Sequence, residues 1–442
     1  MSGWCAVDFA VWRPKPAIQR EVVLTMEYLP RIVDAELSLL LEASGAVLIE
    51  GPKACGKTET ALRAASSEVR LDRDENAKLM VDLDVGAVLA GETPRLIDEW
   101  QLAPSIWNHV RHEVDRRRSP GQFILTGSAK PADDQTRHSG AGRFTRLRMR
   151  PFTLSELGKS SNSISFAKLL QSEPQSAERQ EMTISSLAEI LCAGGWPANV
   201  GKPSAAAIRA NRGYIREVSH VDISQASGKS HDPIRVERLL RSLARNIATP
   251  VATSRLAADV SGANGKKLNP DTATEYLEAL TRLMVVEDQP AWSPNLRSRT
   301  RLRAAAVRHF VDPSLAVAAL GIAPDRLLAD LNYFGLLFES LVMRDLRVHA
   351  QAADARVYHY REKDGLEVDA IVETADGRWA AFEIKLGERW IAEGRKNLLR
   401  VAERLAGTDH GKPTALAVIV PGGYGYFRPG EVGLVPINAL GP

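Results

Sequence analysis

The chain has 442 residues, with 57 lysines and arginines against 54 aspartates and glutamates, a formal net charge of +3. So small a charge does not argue for nucleic acid, and 44% hydrophobic with 25% charged residues is the balance of an ordinary soluble globular protein. The length exceeds what one core organises and suggests about two to four domains, while no apolar run approaches the ~18 residues that span a bilayer.

Residues 1–30 carry Asp8, Arg13, Lys15, Arg20, Glu21 and Glu27 with no continuous apolar segment. They read as an extension lying on the core rather than a signal peptide. Cys5, Cys55 and Cys192 form neither a disulfide framework nor a zinc pattern and fit a reducing cytoplasm. Residues 28–37 read as a loop entering a helix, with Asp34 in the first turn.

An apolar run, Val47-Leu48-Ile49, then leads almost directly into Gly51-Pro52-Lys53-Ala54-Cys55-Gly56-Lys57-Thr58, the G-x-x-x-x-G-K-[ST] phosphate-loop pattern without departure. Glycines let the main chain curl so that successive N–H groups face phosphate oxygens. Lys57 is placed for the β/γ-phosphates and Thr58 for Mg²⁺. Glu59 opens a run of good helix formers, which sets a positive helix N-terminus beneath the phosphates. This stretch predicts ATP and Mg²⁺ as cofactors, held by residues 51–59.

Val69-Arg70-Leu71 is a short strand, and residues 76–90, with Leu79, Leu83, Val85, Val88 and Leu89 at helical spacing, read as one helix. Leu96-Ile97-Asp98-Glu99 is a Walker B arrangement, with Asp98 for the metal and Glu99 as general base. Residues 104–118 form an amphipathic helix turning Ile106, Trp107, Val110 and Val114 inward. The strand Phe123-Ile124-Leu125 ends in Thr126-Gly127-Ser128, where Thr126 and Ser128 are candidates for sensing the γ-phosphate. Phe144, Leu147 and Met149 fit a last sheet strand; Arg143, just before it, is a candidate arginine finger acting in cis or on a neighbouring subunit, which would require a homo-oligomer. The alternative for Arg143, Arg146, Arg148 and Arg150 is a solvated strand edge.

The phosphate loop, Leu96-Ile-Asp-Glu-Trp-Gln101, Phe123-Ile-Leu-Thr-Gly-Ser128, Gly142-Arg143 with Pro151-Phe-Thr-Leu-Ser-Glu156, and Gly194-Gly-Trp-Pro197 occur in this order. Together they resemble the prokaryotic AAA-like ATPases that carry a C-terminal DUF4143 domain, the AAA_14 plus DUF4143 architecture, over residues 28 to 405 or so. The resemblance implies an α/β multidomain chain: a P-loop NTPase αβα core, a helical lid, a winged-helix segment and a C-terminal nuclease-like α/β domain. We place these at 31–156, 157–232, 233–312 and 313–442.

In the lid, Leu187 to Cys192 forms an apolar helical patch, Gly194-Gly-Trp-Pro197 is a turn with a buried indole, and Tyr214 to Ile223 is the last helix. Arg212 and Arg216 read as solvent salt-bridge residues ahead of a second phosphate sensor. From Pro233, three helical segments and a strand at Met284-Val-Val-Glu287 follow the winged-helix order. Its would-be recognition helix, residues 271–283, carries Asp271, Glu275 and Glu278 against Arg282, so a packing role is favoured over DNA reading. Arg297, Arg299, Arg301 and Arg303 recur at period two, a stripe for nucleic acid or an acidic partner if on a strand.

Near the C-terminus a long helix, residues 327–349, carries Glu339; a strand carries Asp369; and an Asp376-Gly377 turn leads to Glu383 and Lys385 on one face of the next strand. This is the PD-(D/E)-x-K constellation, with Glu339, Asp369 and Glu383 as metal carboxylates and Lys385 as the water partner. Residues 421–442 read as a turn-rich tail. Two functions are open: an ATPase controlling a domain that acts on or binds nucleic acid, and an ATP-dependent signalling or scaffold protein whose nuclease-like domain is inactive and binds a partner protein.

Overall fold

The computed structural model describes residues 28–127, 139–260, 268–293, 306–362, 364–407 and 411–442. Ser128 and the arginine stripe at 297–303 lie outside them.

Strand β1, Ala46–Glu50, is buried at every position. That requires cover on both faces, which a parallel α/β sheet supplies. Four more strands join it: β2, Ser67–Arg70; β3, Arg95–Asp98; β4, Phe123–Gly127; and β5, Phe144–Arg148. The order is β2-β3-β4-β1-β5, all parallel. The two-residue alternation of β1 divides its side chains between two cores. Ala46 and Leu48 pack with Ile97, Leu125 and Trp107 on one face, and Val47 and Ile49 with Leu96, Ile124 and Leu147 on the other. Because all five strands run the same way, the C-terminal ends of β1, β3 and β4 lie side by side, which brings the phosphate loop, Asp98 and Thr126 together.

The helix expected over 76–90 is two, Glu75–Leu83 and Val85–Leu89. Asp84 ends the first, and its side chain accepts from the Ala87 N–H to cap the second. The break turns Leu79 and Leu83 outward, 60% and 76% exposed, and Ala77 and Val81 fill the core instead. Helix Ile106–Arg117 buries Ile106, Trp107, Val110 and Val114, as its spacing predicts.

The segment expected as a wholly helical lid begins with strands. Ile164–Ser165 pairs with Leu440–Gly441, and Gln175–Gln180 pairs antiparallel with Gly423–Phe427. Residues 421–442 are therefore sheet, not a turn-rich tail. They complete a seven-stranded sheet in the order Ala355–Arg361, Glu367–Thr374, Trp379–Ile384, Ala415–Val420, Val432–Pro436, Gly423–Phe427, Gln175–Gln180. Helices Ile184–Ala193 and Ser204–Glu217 follow in the lid. Helices Pro233–Arg245, Thr253–Val260 and Pro270–Arg282 follow, with a three-stranded antiparallel sheet of Thr249–Pro250, Val307–Phe310 and Val286–Gln289. The last of these helices buries Ala273, Tyr276, Leu277 and Leu280.

One core joins the helices of residues 184–226, those of 233–283 and the C-terminal helix Leu331–Ala352. At its edge Arg344 is buried between Asp312 and Asp345, 2.8 Å from each. Asp312 accepts from the Gly195 N–H and Asp345 from the Leu154 N–H. A Cβ on Gly195 would stand 2.1 Å from the Phe152 carbonyl oxygen, so only glycine fits there. Trp196 is buried and donates to Ser314, as the turn with a buried indole requires. Among the described residues, no helix is long and apolar enough to cross a membrane.

Candidate functional site

Gly56 adopts φ +101° and caps the helix Lys57–Ala64, a conformation open to glycine and strained for other residues. The Lys57 ammonium donates to the carbonyls of Gly51 and Pro52, 3.1 and 2.9 Å away. Thr58 Oγ1 donates to Asp98 at 3.0 Å. Asp98 is 4% exposed and also accepts from the Thr126 hydroxyl, which in turn receives the Glu99 N–H at 3.4 Å. Glu99 has φ +54° and its carboxylate accepts from Gln101. Thus Lys57, Thr58, Asp98, Glu99 and Thr126 come together as expected. Thr126 is fully buried with its hydroxyl turned to Asp98, so it orients the acid rather than facing outward toward a phosphate. Of the remaining loop residues, Gly51, Pro52 and Cys55 are buried, Ala54 is exposed, and Glu59 is exposed on the first helical turn.

Arg143 is a correction. It precedes β5, whose Phe144 stands beside Ala46 at the start of β1, and its carbonyl receives the Ala46 N–H. The phosphate loop leaves β1 at the opposite end, a strand length of roughly 16 Å away. Arg143 instead pairs with Asp115 at 2.9 Å on the surface, so it is no finger for this chain's own nucleotide.

The sequence reading missed Arg31. Its guanidinium donates to the Cys55 carbonyl in the phosphate loop at 2.9 Å, to the Arg150 carbonyl at 2.7 Å and to Glu156 at 3.0 Å. Glu156 also accepts from the Ile32 and Thr153 N–H groups. Burial alone would raise the Glu156 carboxyl, but Arg31 and these N–H donors hold it below its ordinary value. The signal was the Pro-Phe-Thr-Leu-Ser-Glu156 motif, whose partner 125 residues away no local pattern reveals.

In the C-terminal sheet, Asp369 accepts from the Ile384 N–H at 2.7 Å and lies 3.4 Å from the Lys385 ammonium, which also contacts Glu383. Burial first, then the Asp369 charge, pushes the Glu383 carboxyl up to about 8, and its Oε1 has no hydrogen-bond partner. Burial and Asp369 likewise raise Glu339 well above its ordinary value. Burial pulls Lys385 down, but Asp369 and Glu383 more than offset it and keep the ammonium charged. Asp369, Glu383 and Lys385 thus come together as expected, while Glu339 lies near enough to feel their charges. Yet among the described residues no group of three or more His, Cys, Asp or Glu is gathered closely enough to hold a metal ion. Lys385 bridges Asp369 and Glu383, so the expected three-carboxylate Mg²⁺ site does not fit this arrangement. Thr58 and Asp98, a hydroxyl and a carboxylate, do fit an ion that takes its other ligands from phosphate and water.

Fold and site define a P-loop ATPase of the AAA type. A family model described as an AAA domain matches residues 43–158, and a domain of unknown function, DUF4143, matches 334–440, so the chain has the AAA_14 plus DUF4143 architecture. A second domain of unknown function, DUF8612, matches 184–326. Two uncharacterized proteins, Rv2008c of Mycobacterium tuberculosis and Mb2031c of Mycobacterium bovis, are each 28% identical over 397 residues, 86% of this chain and 81% of theirs. Among solved structures, the Aeropyrum pernix ORC2 protein in ADPNP and ADP complexes is 15% identical, with a TM-score of 0.33 over 72% of this chain and 100% of that one. A signal-transduction ATPase with a tetratricopeptide repeat sensor from Pyrococcus horikoshii is 13% identical, with a TM-score of 0.20 over 73% and 50%.

Proposed function

We propose that the protein binds and hydrolyses ATP with Mg²⁺ and passes its nucleotide state to a C-terminal nuclease-like domain that acts on or binds nucleic acid. The observation that carries the ATPase reading is the Thr58–Asp98–Thr126 hydrogen-bonded group beside the Lys57 loop, with Glu99 next to it. When bound, Mg²⁺ neutralises phosphate charge and fixes the phosphate geometry. Thr58 and Asp98 would hold it, Lys57 would leave the loop carbonyls for the β/γ-phosphates, and Glu99 would polarise the attacking water. Steady-state phosphate release tests this: Lys57→Ala and Glu99→Gln each abolish it, while Glu99→Gln still binds ATP.

The helix Leu331–Ala352 supports the transmission. Glu339 lies near the Asp369–Lys385 pair, while Arg347 contacts Glu287 at 3.3 Å and Gln351 contacts Glu36 of the ATPase core at 2.8 Å.

The second reading, an ATP-dependent scaffold with an inactive nuclease-like domain that binds a partner protein, is favoured by one observation. Lys385 contacts both Asp369 and Glu383, two of the carboxylates that a nuclease needs for metal. Incubation with plasmid or single-stranded DNA and Mg²⁺ or Mn²⁺, beside Asp369→Ala, separates the two. Cleavage lost in the variant supports the first; no cleavage by either, with ATP turnover intact, supports the second.

A further inference from the structure

The lid meets the phosphate loop at Lys53. Its side chain, 44% exposed, contacts the Asp222 carboxylate, 6% exposed, at 2.5 Å. The Lys53 backbone N–H lies against the Tyr214 hydroxyl, and Tyr214 packs on Trp196 with ring centroids 4.9 Å apart. Pro197 stands 3.5 Å from where a Cβ on Gly56 would be. Asp222 ends a π-helical turn, Val218–Asp222, a rare geometry found mostly where function interrupts a helix. The lid arginines are elsewhere: Arg212 caps the Gly321 and Ile322 carbonyls, and Arg216 is exposed. At the loop, then, the lid presents an acid.

We propose that Lys53 and Asp222 form a latch that a nucleoside triphosphate releases. The Lys53 ammonium exchanges the Asp222 carboxylate for the terminal phosphate, and the lid segment 214–222 shifts. This rests on the nucleotide reading of the phosphate loop. One ammonium cannot neutralise both partners. A terminal phosphate carries more charge than a carboxylate and lies in the field of Lys57 and the helix N-terminus, so it wins the cation. Asp222 is then a buried carboxylate without its partner, and segment 214–222 must move to admit water to it. A diphosphate, lacking the terminal group, leaves the pair closed. Lys53 is in this account a phosphate-binding residue that distinguishes triphosphate from diphosphate.

The test measures equilibrium binding of AMP-PNP and of ADP, each with Mg²⁺, to the full chain and to Asp222→Asn and Lys53→Met, with hydrogen exchange over 214–222. Asp222→Asn should bind AMP-PNP about tenfold more tightly, the scale of one lost competing ion pair, with ADP little changed. Lys53→Met should lose its preference for AMP-PNP over ADP. In the wild type, AMP-PNP but not ADP should speed exchange over 214–222. Equal shifts for both nucleotides, or none, overturn the latch and leave the phosphate-loop reading standing; a wild type that binds neither nucleotide overturns both. Should Asp222→Asn fail to fold, the wild-type exchange decides: no acceleration with AMP-PNP sinks the latch.

Discussion

Gln351 donates to the main-chain carbonyl of Arg148 at 2.9 Å. Arg148 ends β5 beside the phosphate loop, and Gln351 ends the helix that carries Glu339. The same amide donates to Glu36 and accepts from Arg150. Twelve residues separate Gln351 from Glu339, about 18 Å along one helix, so in the proposed transmission this contact joins the helix to the ATPase core. Gln351→Ala leaves these groups partly unpartnered and should cost about 1–3 kcal/mol. ATP turnover should persist, and the effect of AMP-PNP on hydrogen exchange in strand Trp379–Ile384 should disappear. An equal nucleotide effect in wild type and variant would remove this helix from the transmission.

Thr126 offers a narrower test. Thr126→Val keeps the shape and removes only the hydroxyl between Asp98 and the Glu99 N–H. A misoriented acid should lower phosphate release about 10- to 100-fold, the range for losing a group that positions a charged site. ATP binding should remain. Calorimetry beside turnover checks it, and unchanged turnover would mean that Asp98 needs no such support.

The buried Arg31–Glu156 pair ties the start of the core to its end. Arg31→Ala strands Glu156 and should destabilise the chain by about 3–5 kcal/mol. It also frees the Cys55 carbonyl, so ATP affinity should fall as well. Urea denaturation read together with an ATP titration distinguishes the roles: lost stability with full affinity would make Arg31 a structural residue alone.

What the sequence revealed was what lies close along the chain. Gly51 to Thr58, Asp98 with Glu99, and Glu383 with Lys385 are set by strand ends and two-residue alternation, so spacing places them. Arg31 with Glu156, Lys53 with Asp222, and Gln175–Gln180 with Gly423–Phe427 join segments far apart, and no local period encodes them. Arg143 as a finger for this chain's own nucleotide misled for a related reason: an arginine next to a sheet strand has the right composition for a finger, but only strand direction shows which end of the sheet it occupies. At 76–90 periodicity suggested a helix correctly, yet Asp84 as a cap outweighed continuity and left Leu79 and Leu83 exposed.

Glu287 should set part of the acid sensitivity. Burial alone would raise its carboxyl, but Arg150, Arg347 and Arg148 around it hold it far below its ordinary value of 4.5. A depressed carboxyl adds stability above its unfolded value, and that stability is lost as pH falls toward the native one. Thermal melts from pH 7 down to pH 3 should therefore show the wild type losing stability more steeply than Glu287→Gln, whose side chain does not titrate. Parallel curves would place the acid-sensitive groups elsewhere.

Glu383 has the opposite sign. With its carboxyl pushed up to about 8 against an ordinary 4.5, the native state favours the protonated form. Its contribution is fully present below pH 4.5 and is lost as pH rises through 8. Near pH 9 in chelator, Glu383→Gln should melt higher than the wild type, and the gap should close toward pH 5. Millimolar Mn²⁺ should leave the wild-type melting temperature where it was, because the Lys385 ammonium already contacts both Asp369 and Glu383. A rise with Mn²⁺ that is absent in Glu383→Gln would show that an ion displaces Lys385 and draws the carboxylates around itself, and it would return the domain to the nucleases.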